Sequence, residues 1–157
     1  HADFIVKDLL PQMEDLLPLI REPSARALMG ASFGAVASLS TAWRHQGVFG
    51  KLFLQSGSFV FTDIGDHDRP PMFDPVVKFV NQFRKKPGRP VDQVFLSCGV
   101  YESLIYYNRS LVPLLQETGM QVRVREANDG HNWENWRDRL REGLSSLFPG
   151  PLWHVYE

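Results

Sequence analysis

The stretch that decides the fold is Leu28-Met29-Gly30-Ala31-Ser32-Phe33-Gly34-Ala35. A short apolar run over residues 25–29 favours a buried strand, and the small residues over 35–43 favour a helix packed closely on a sheet. Between them, residues 30–34 match G-x-S-x-G, a pattern that places a serine on a sharp strand-to-helix turn. We expect side chains at either glycine position to clash with neighbouring backbone. The segment therefore predicts a strand–turn–helix unit that presents the Ser32 hydroxyl above a sheet.

Segments on either side of this unit continue the alternation of strands and helices. A helix is predicted over about residues 3–20, weakened or kinked at Pro11. Further strands are predicted over 51–56, 93–98 and 121–126, and further helices over 76–83, 104–116 and 133–148. The last strand alternates polar and apolar residues, which places it at the sheet edge. The order predicts an α/β fold with a mainly parallel sheet and helices on both faces, and residues 1–157 are expected to form one domain.

Composition excludes several classes of partner and cofactor. The chain has 157 residues, of which 43% are apolar and 22% charged, with a formal net charge of −1. No overall positive field points to nucleic acid or to an anionic membrane surface. The single cysteine, Cys98, cannot form a disulfide within the chain and argues against a cysteine-based zinc site. We expect no metal and no cofactor. We also expect a cytoplasmic protein, because the first residues do not resemble a signal peptide.

The position of a catalytic base follows from the predicted sheet. Open α/β sheets carry their sites beyond the carboxyl ends of the strands, and folds with a G-x-S-x-G turn order the triad Ser…Asp/Glu…His along the chain. His131 follows the last predicted strand, and we expect it to reach Ser32 if their strands are neighbours. The other histidines occupy less suitable positions, namely His1, His45, His67 and His154.

The acid of such a triad should follow the preceding strand. Glu102 is the first carboxylate after that strand and is the favoured partner for His131, whereas Asp129 is the alternative. Ser32 lies at a helix N-terminus, so the free backbone N–H of Phe33 is predicted to be one donor of an oxyanion hole. Cys98 is predicted to be buried and inert. The alternative to a nucleophilic Ser32 is a glycine-rich turn that binds a phosphate or has only a packing role.

Five blocks of sequence resemble a known family. They are Leu28–Ala35, Leu54-Gln55-Ser56-Gly57-Ser58-Phe59, Gly99-Val100-Tyr101-Glu102, Asn108-Arg109, and Asp129-Gly130-His131-Asn132-Trp133-Glu134-Asn135-Trp136-Arg137. This combination resembles the putative esterase family of enterochelin esterases and esterase D, within the α/β-hydrolase superfamily. The last block is most similar to the enterochelin esterase branch. Ala35 and Asp129 stand at positions where the family often has glycine. Because of these two differences, the resemblance does not identify the substrate.

The resemblance implies an activity and a set of contact residues. Ser32, Glu102 and His131 would be a catalytic triad that hydrolyses a small-molecule carboxylic ester through an acyl-enzyme. Ser58, Phe59 and Trp133 would contact the substrate. A catechol siderophore ester is the first candidate, and a carbohydrate-linked aryl or acetyl ester, as in feruloyl esterases, is the second. A hydrolase fold used as a non-catalytic binding module is the alternative outside enzymes.

The predicted elements begin with a single helix before the serine-bearing strand. The resemblance therefore leads us to expect the C-terminal part of an α/β-hydrolase, without the strands that precede that strand in the fold and without the second oxyanion donor. We expect this chain alone to be a weak catalyst. We also expect an exposed sheet edge at the serine-bearing strand, through which copies of the chain could associate as a homo-oligomer.

Overall fold

The computed structural model describes residues 1–63 and 65–150. Four strands form one parallel sheet in the order β1-β2-β3-β4, with β1 Ala27–Ala31, β2 Lys51–Gln55, β3 Gln93–Gly99 and β4 Gln121–Ala127. The α-helices are α1 Leu10–Leu16, α2 Phe33–Arg44, α3 Asp74–Lys85, α4 Ile105–Glu117 and α5 Trp133–Leu147. The parallel sheet confirms the predicted α/β architecture.

Helices cover both faces of the sheet, as predicted. Successive side chains of a strand point to opposite faces, so Leu52 and Leu54 face one way and Phe53 the other. Leu52 and Leu54 join the main core with buried residues of α2, α3 and α4. Phe53 and Phe95 meet edge to face with ring centroids 5.2 Å apart, and Leu147 of α5 packs against them. The sheet thus lies between two apolar layers.

The N-terminal helix is shorter than predicted and changes type along its length. Residues Phe4–Leu9 form a π-helical segment, which passes into α1 and ends at Leu16. Pro11 is at the start of α1, where the two geometries meet. Proline has no N–H to donate to the preceding turn, so the local change falls where the sequence predicts a kink.

Strand β1 differs from its prediction in position and in burial. Residues Pro23–Ala25 form a short 3-10 helix, so the strand begins two residues later than expected. The strand is not buried, and the Met29 side chain is 52% exposed. The reason is its place at one edge of the sheet, where a strand has a neighbour on one side only. Strand β4 lies at the other edge, as predicted.

All four strands point their carboxyl ends to the same side of the sheet. Ser32, Ser56, Glu102 and His131 follow β1, β2, β3 and β4 in that order. This arrangement gathers polar side chains from four separate parts of the chain at one edge of the core. Within residues 1–63 and 65–150, no helix combines the length and the apolar character needed to cross a membrane.

Candidate active site

Ser32 sits on a strained turn between β1 and α2. Its backbone angles are φ 55° and ψ −120°, a conformation that costs a residue with a side chain about 1–3 kcal/mol. Two backbone hydrogen bonds hold it there. The Ser32 N–H donates to the Gln55 carbonyl at 2.9 Å, and the Ser32 carbonyl accepts from the Ser58 N–H at 3.2 Å. The neighbouring strand β2 and the loop that follows it therefore fix the turn.

The two glycines of the turn have different roles, which corrects the sequence expectation for one of them. A Cβ on Gly30 would lie 2.3 Å from backbone atoms of Gly34, so only glycine fits at position 30. A Cβ on Gly34 would meet no heavy atom within 4 Å. Gly34 is the second residue of α2 and faces open space. Close packing of the turn therefore requires glycine at position 30 but not at position 34.

His131 lies within hydrogen-bonding distance of Ser32, with Nε2 3.1 Å from the serine Oγ. The contact does not require neighbouring strands, because β1 and β4 are at opposite edges of the sheet. The loop after β4 crosses the ends of the intervening strands instead. The Asp129 carbonyl accepts from the Tyr101 N–H at 3.2 Å beyond β3, and α5 then starts above the end of β2. This crossing brings His131 to Ser32.

Glu102 supplies the carboxylate that faces the other side of the imidazole. Its Oε2 accepts from Nδ1 of His131 at 2.7 Å, and its side chain is fully buried. Since a carboxylate oxygen only accepts, Nδ1 carries the proton and Nε2 is free to accept from the Ser32 hydroxyl. The alternative acid, Asp129, points to Arg139 with 3.6 Å between Oδ2 and the guanidinium.

The residues predicted to bind the oxyanion or the substrate differ in how well their positions suit those roles. The Phe33 N–H begins α2 and has no partner within that helix, as an oxyanion donor requires. The Ser58 Oγ lies 3.2 Å from the Ser32 Oγ, and Trp133, two residues after His131, is 61% exposed. Phe59 is 1% exposed within the main core. Its predicted contact with substrate is therefore corrected, because its ring contributes to packing.

Several polar residues around the site lie in the blocks that carry the family resemblance, but the sequence analysis assigned them no role. The Asn108 side chain clasps Gly57 by donating to its carbonyl at 2.8 Å and accepting from its N–H at 3.1 Å. Ser56, Asn135 and Trp136 contact the Glu102 carboxylate or one another. Asn108 and Asn135 are 1% exposed. Their place in those blocks, and amide side chains on the buried faces of amphipathic helices, are the signals that could have indicated them.

Among the described residues, the other histidines and Cys98 take no part in the hydrogen-bond chain of Ser32, His131 and Glu102. His45 contacts Asp3, and His67 contacts Asp74 at 2.9 Å. His1 is at the exposed start of the chain, and His154 lies outside the described residues. Burial, followed by the nearby charge of Glu102, raises the pKa of the Cys98 thiol to about 12. In the described part of the chain, no group of three or more acidic, histidine or cysteine side chains is arranged to hold a metal.

The parallel sheet, the strained turn at Ser32 and the polar side chains beyond the strand ends characterise the fold and the candidate site of this chain. The chain belongs to the family described as "Putative esterase", whose sequence model matches residues 1–147. It is 30% identical over 149 residues to an iron(III) enterobactin esterase of Dickeya dadantii, covering 91% of this chain and 34% of that protein. The chain thus spans about a third of that relative.

Solved structures show the same fold. An enterobactin esterase from Shigella flexneri, crystallised in the presence of 2,3-dihydroxy-N-benzoyl-glycine, superposes with a TM-score of 0.75 at 23% identity. That match covers 94% of this chain and 38% of the other. A ferulic acid esterase superposes with a TM-score of 0.72 at 22% identity, over 92% of this chain and 59% of the other.

Proposed function

We propose that the protein hydrolyses a carboxylic ester through an acyl-enzyme on Ser32. The observation that carries this proposal is the unbroken hydrogen-bond chain from Ser32 through His131 to Glu102, with heavy-atom distances of 3.1 and 2.7 Å. A hydroxyl, an imidazole and a carboxylate in that order form the arrangement that activates serine for acyl transfer. Membership in an esterase family supports the same reaction.

The first half of the reaction forms the acyl-enzyme. The Ser32 Oγ attacks the carbonyl carbon while its proton passes to Nε2 of His131. The imidazolium is stabilised through Nδ1 by Glu102. The carbonyl oxygen takes up the negative charge and accepts from the Phe33 N–H, where the N-terminal dipole of α2 adds to the attraction. His131 then protonates the leaving alkoxide, and the alcohol departs.

The second half returns the enzyme to its starting state. A water molecule gives a proton to Nε2 of His131 and attacks the acyl carbon. The Ser32–acyl bond breaks, the carboxylic acid leaves, and His131 returns the proton to the Ser32 Oγ. In the resting enzyme, the Ser58 Oγ lies 3.2 Å from the Ser32 Oγ and lines the site. Since Ser32 donates to His131, the Ser58 hydroxyl donates to Ser32.

For the substrate, we propose an ester of a catechol siderophore. The 30% identity to the Dickeya iron(III) enterobactin esterase supports this class. An aryl ester of the feruloyl type is a second candidate, because the ferulic acid esterase shares the fold over 92% of this chain. Both candidates carry an aromatic ring on the acyl side of the ester, and the exposed side chain of Trp133 is available to contact it.

A covalent probe tests the chemistry separately from the substrate. We expect a fluorophosphonate to modify the protein once, at Ser32, as mapped by mass spectrometry. Ser32→Ala should abolish labelling, whereas Ser145→Ala, an exposed serine of α5, should leave it unchanged. Labelling elsewhere, or none, would exclude the proposed nucleophile and favour a non-catalytic binding module.

A substrate panel then separates the two ester classes. Initial rates on an iron-loaded cyclic catechol triester and on a feruloyl sugar ester are compared at equal concentrations. We expect kcat/KM to be at least about tenfold higher for the triester, a difference of about 1.4 kcal/mol in transition-state binding. The opposite preference would assign the protein to feruloyl-type esters while leaving the role of Ser32 intact.

A further inference from the structure

Glu102 uses only one of its oxygens to face His131, and the other is surrounded by donors. Oε1 accepts from the Ser56 hydroxyl at 2.6 Å, from the Gly99 N–H at 2.7 Å and from the Asn135 amide at 3.2 Å. The side chain is fully buried, so water does not supply these contacts. Protein groups alone determine how the carboxylate plane is oriented.

The Ser56 hydroxyl is itself held in one orientation by Trp136. The indole Nε1 of Trp136 lies 2.9 Å from the Ser56 Oγ. An indole N–H can only donate, so Ser56 must accept from it. A hydroxyl has a single proton, and with the indole in place that proton goes to Glu102. The direction of the chain is therefore fixed as Trp136 to Ser56 to Glu102.

Trp136 contacts the base as well as the acid. Its ring meets the His131 imidazole edge to face, with centroids 5.1 Å apart and an interplanar angle of 88°. Its carbonyl accepts from the Gln55 side chain at 2.8 Å, which ties the first turn of α5 to the end of β2. One residue thus restrains both partners of the hydrogen bond between Glu102 and His131.

Ser56 keeps an unfavourable backbone conformation in order to make these contacts. Its φ is 47°, in the left-handed region, and its N–H donates to the Ser97 carbonyl at 2.7 Å. Glycine would adopt this φ without steric cost. A serine at this position pays about 1 kcal/mol or more in strain, which is consistent with a need for its hydroxyl.

From these contacts we infer that Trp136 and Ser56 are positioning residues for the acid of the triad. They orient Glu102 so that Oε2 meets Nδ1 of His131, and they act on the reaction only through Glu102 and His131. This inference rests on the proposed serine esterase activity. It predicts that loss of the indole N–H weakens turnover although Trp136 does not touch the substrate.

Two single variants and their combination test the inference. Trp136→Phe removes the N–H but keeps an aromatic ring against His131. Ser56→Gly removes the hydroxyl and suits the positive φ, so the fold should tolerate it. Trp43→Phe is the matched control, because its indole donates to the Lys86 carbonyl at 3.1 Å, away from the site.

We expect each of the two site variants to lower kcat about 10- to 100-fold with little change in KM. The double variant should be no slower than Ser56→Gly, because both changes break the same chain. Trp43→Phe should turn over like the wild type. A Trp136→Phe variant with wild-type kcat, independent effects that multiply, or a loss confined to KM would each overturn the inference.

Two further measurements distinguish failure of the positioning role from failure of the proposed function. The rate of fluorophosphonate labelling at Ser32 should fall in Trp136→Phe by a factor similar to that for kcat. If wild-type Ser32 is not labelled, the proposed function fails; if wild type and Trp136→Phe are labelled equally fast, only the positioning role fails. If Ser56→Gly does not fold, the downfield proton resonance of His131 Nδ1–H in Trp136→Phe decides, and an unchanged resonance counts against the inference.

Discussion

Two serines, Ser32 and Ser56, occupy backbone conformations that serine rarely adopts. They are the non-glycine residues with positive φ in the part of the chain that the structure describes, and they follow the neighbouring strands β1 and β2. Strained residues persist where the surrounding structure holds them, and they concentrate at functional sites. Ser32 presents the proposed nucleophile, and Ser56 supports the carboxylate behind it.

At the residue scale, Glu102 and Asp129 give opposite predictions for the same conservative change. Glu102→Gln should lower kcat on the order of 10³–10⁴-fold, because the amide can hold His131 in the wrong tautomer and cannot stabilise the imidazolium. Asp129→Asn should change kcat little, since that side chain points to Arg139. Steady-state kinetics on both variants, with folding checked by circular dichroism, make the comparison. Loss of turnover in Asp129→Asn alone would transfer the role of the acid to Asp129.

Cys98 provides a second prediction at this scale. Because burial and the nearby carboxylate raise the pKa of its thiol to about 12, the thiolate is scarce near neutral pH. We expect the folded protein to resist alkylation by N-ethylmaleimide at about pH 8 and the urea-unfolded protein to react completely. Mass spectrometry of both samples measures the difference. Rapid alkylation of the folded protein would mean that Cys98 is accessible.

At the scale of elements, the contact between β1 and α2 depends on one glycine. Gly30→Ala places a methyl group 2.3 Å from Gly34 backbone, which cannot move without displacing the helix. We expect a loss of about 3 kcal/mol or more in unfolding free energy. Gly34→Ala is the matched variant, and it should be neutral or up to about 1 kcal/mol more stable, because alanine favours helix. Urea denaturation measures both, and equal losses would contradict the structure of the turn.

At the scale of the whole molecule, the two edges of the sheet differ in charge. Strand β1 has the sequence ALMGA, without a charged residue. Strand β4 carries Arg123, Arg125 and Glu126, which pair with Glu142 or Arg109. Charged side chains on an edge strand discourage pairing with another chain. We therefore propose that copies of this chain associate through the edge at β1.

A lysine scan of the two edges tests that proposal. The wild-type chain should associate reversibly as its concentration rises, as measured by sedimentation equilibrium. Met29→Lys on β1 should shift the equilibrium towards the monomer, because a charge would be placed in the new contact. Val124→Lys, at a similarly exposed position of β4, should have no effect. A wild type that stays monomeric at every concentration, or a response only to Val124→Lys, would contradict the proposal.

Local patterns in the sequence determined the order of the elements and the positions of the key polar residues. Apolar periodicity and turn chemistry act over a few residues, so the strands and the later helices could be placed to within about two residues, whereas the N-terminal helix ends earlier than predicted, at Leu16. The same patterns put Ser32, Glu102 and His131 directly after strands. In a parallel sheet the carboxyl ends of the strands share one edge, and the structure brings these three side chains together there.

Only the tertiary structure decided how that edge is assembled. His131 crosses from β4 to β1, Phe59 enters the core, and Trp136 reaches Ser56 across 80 positions of sequence. Strand order and side-chain partners depend on contacts between distant segments, which no local pattern encodes. The exposure of Met29 follows from the same cause, since an apolar strand has the same sequence signature whether or not another strand lies beside it.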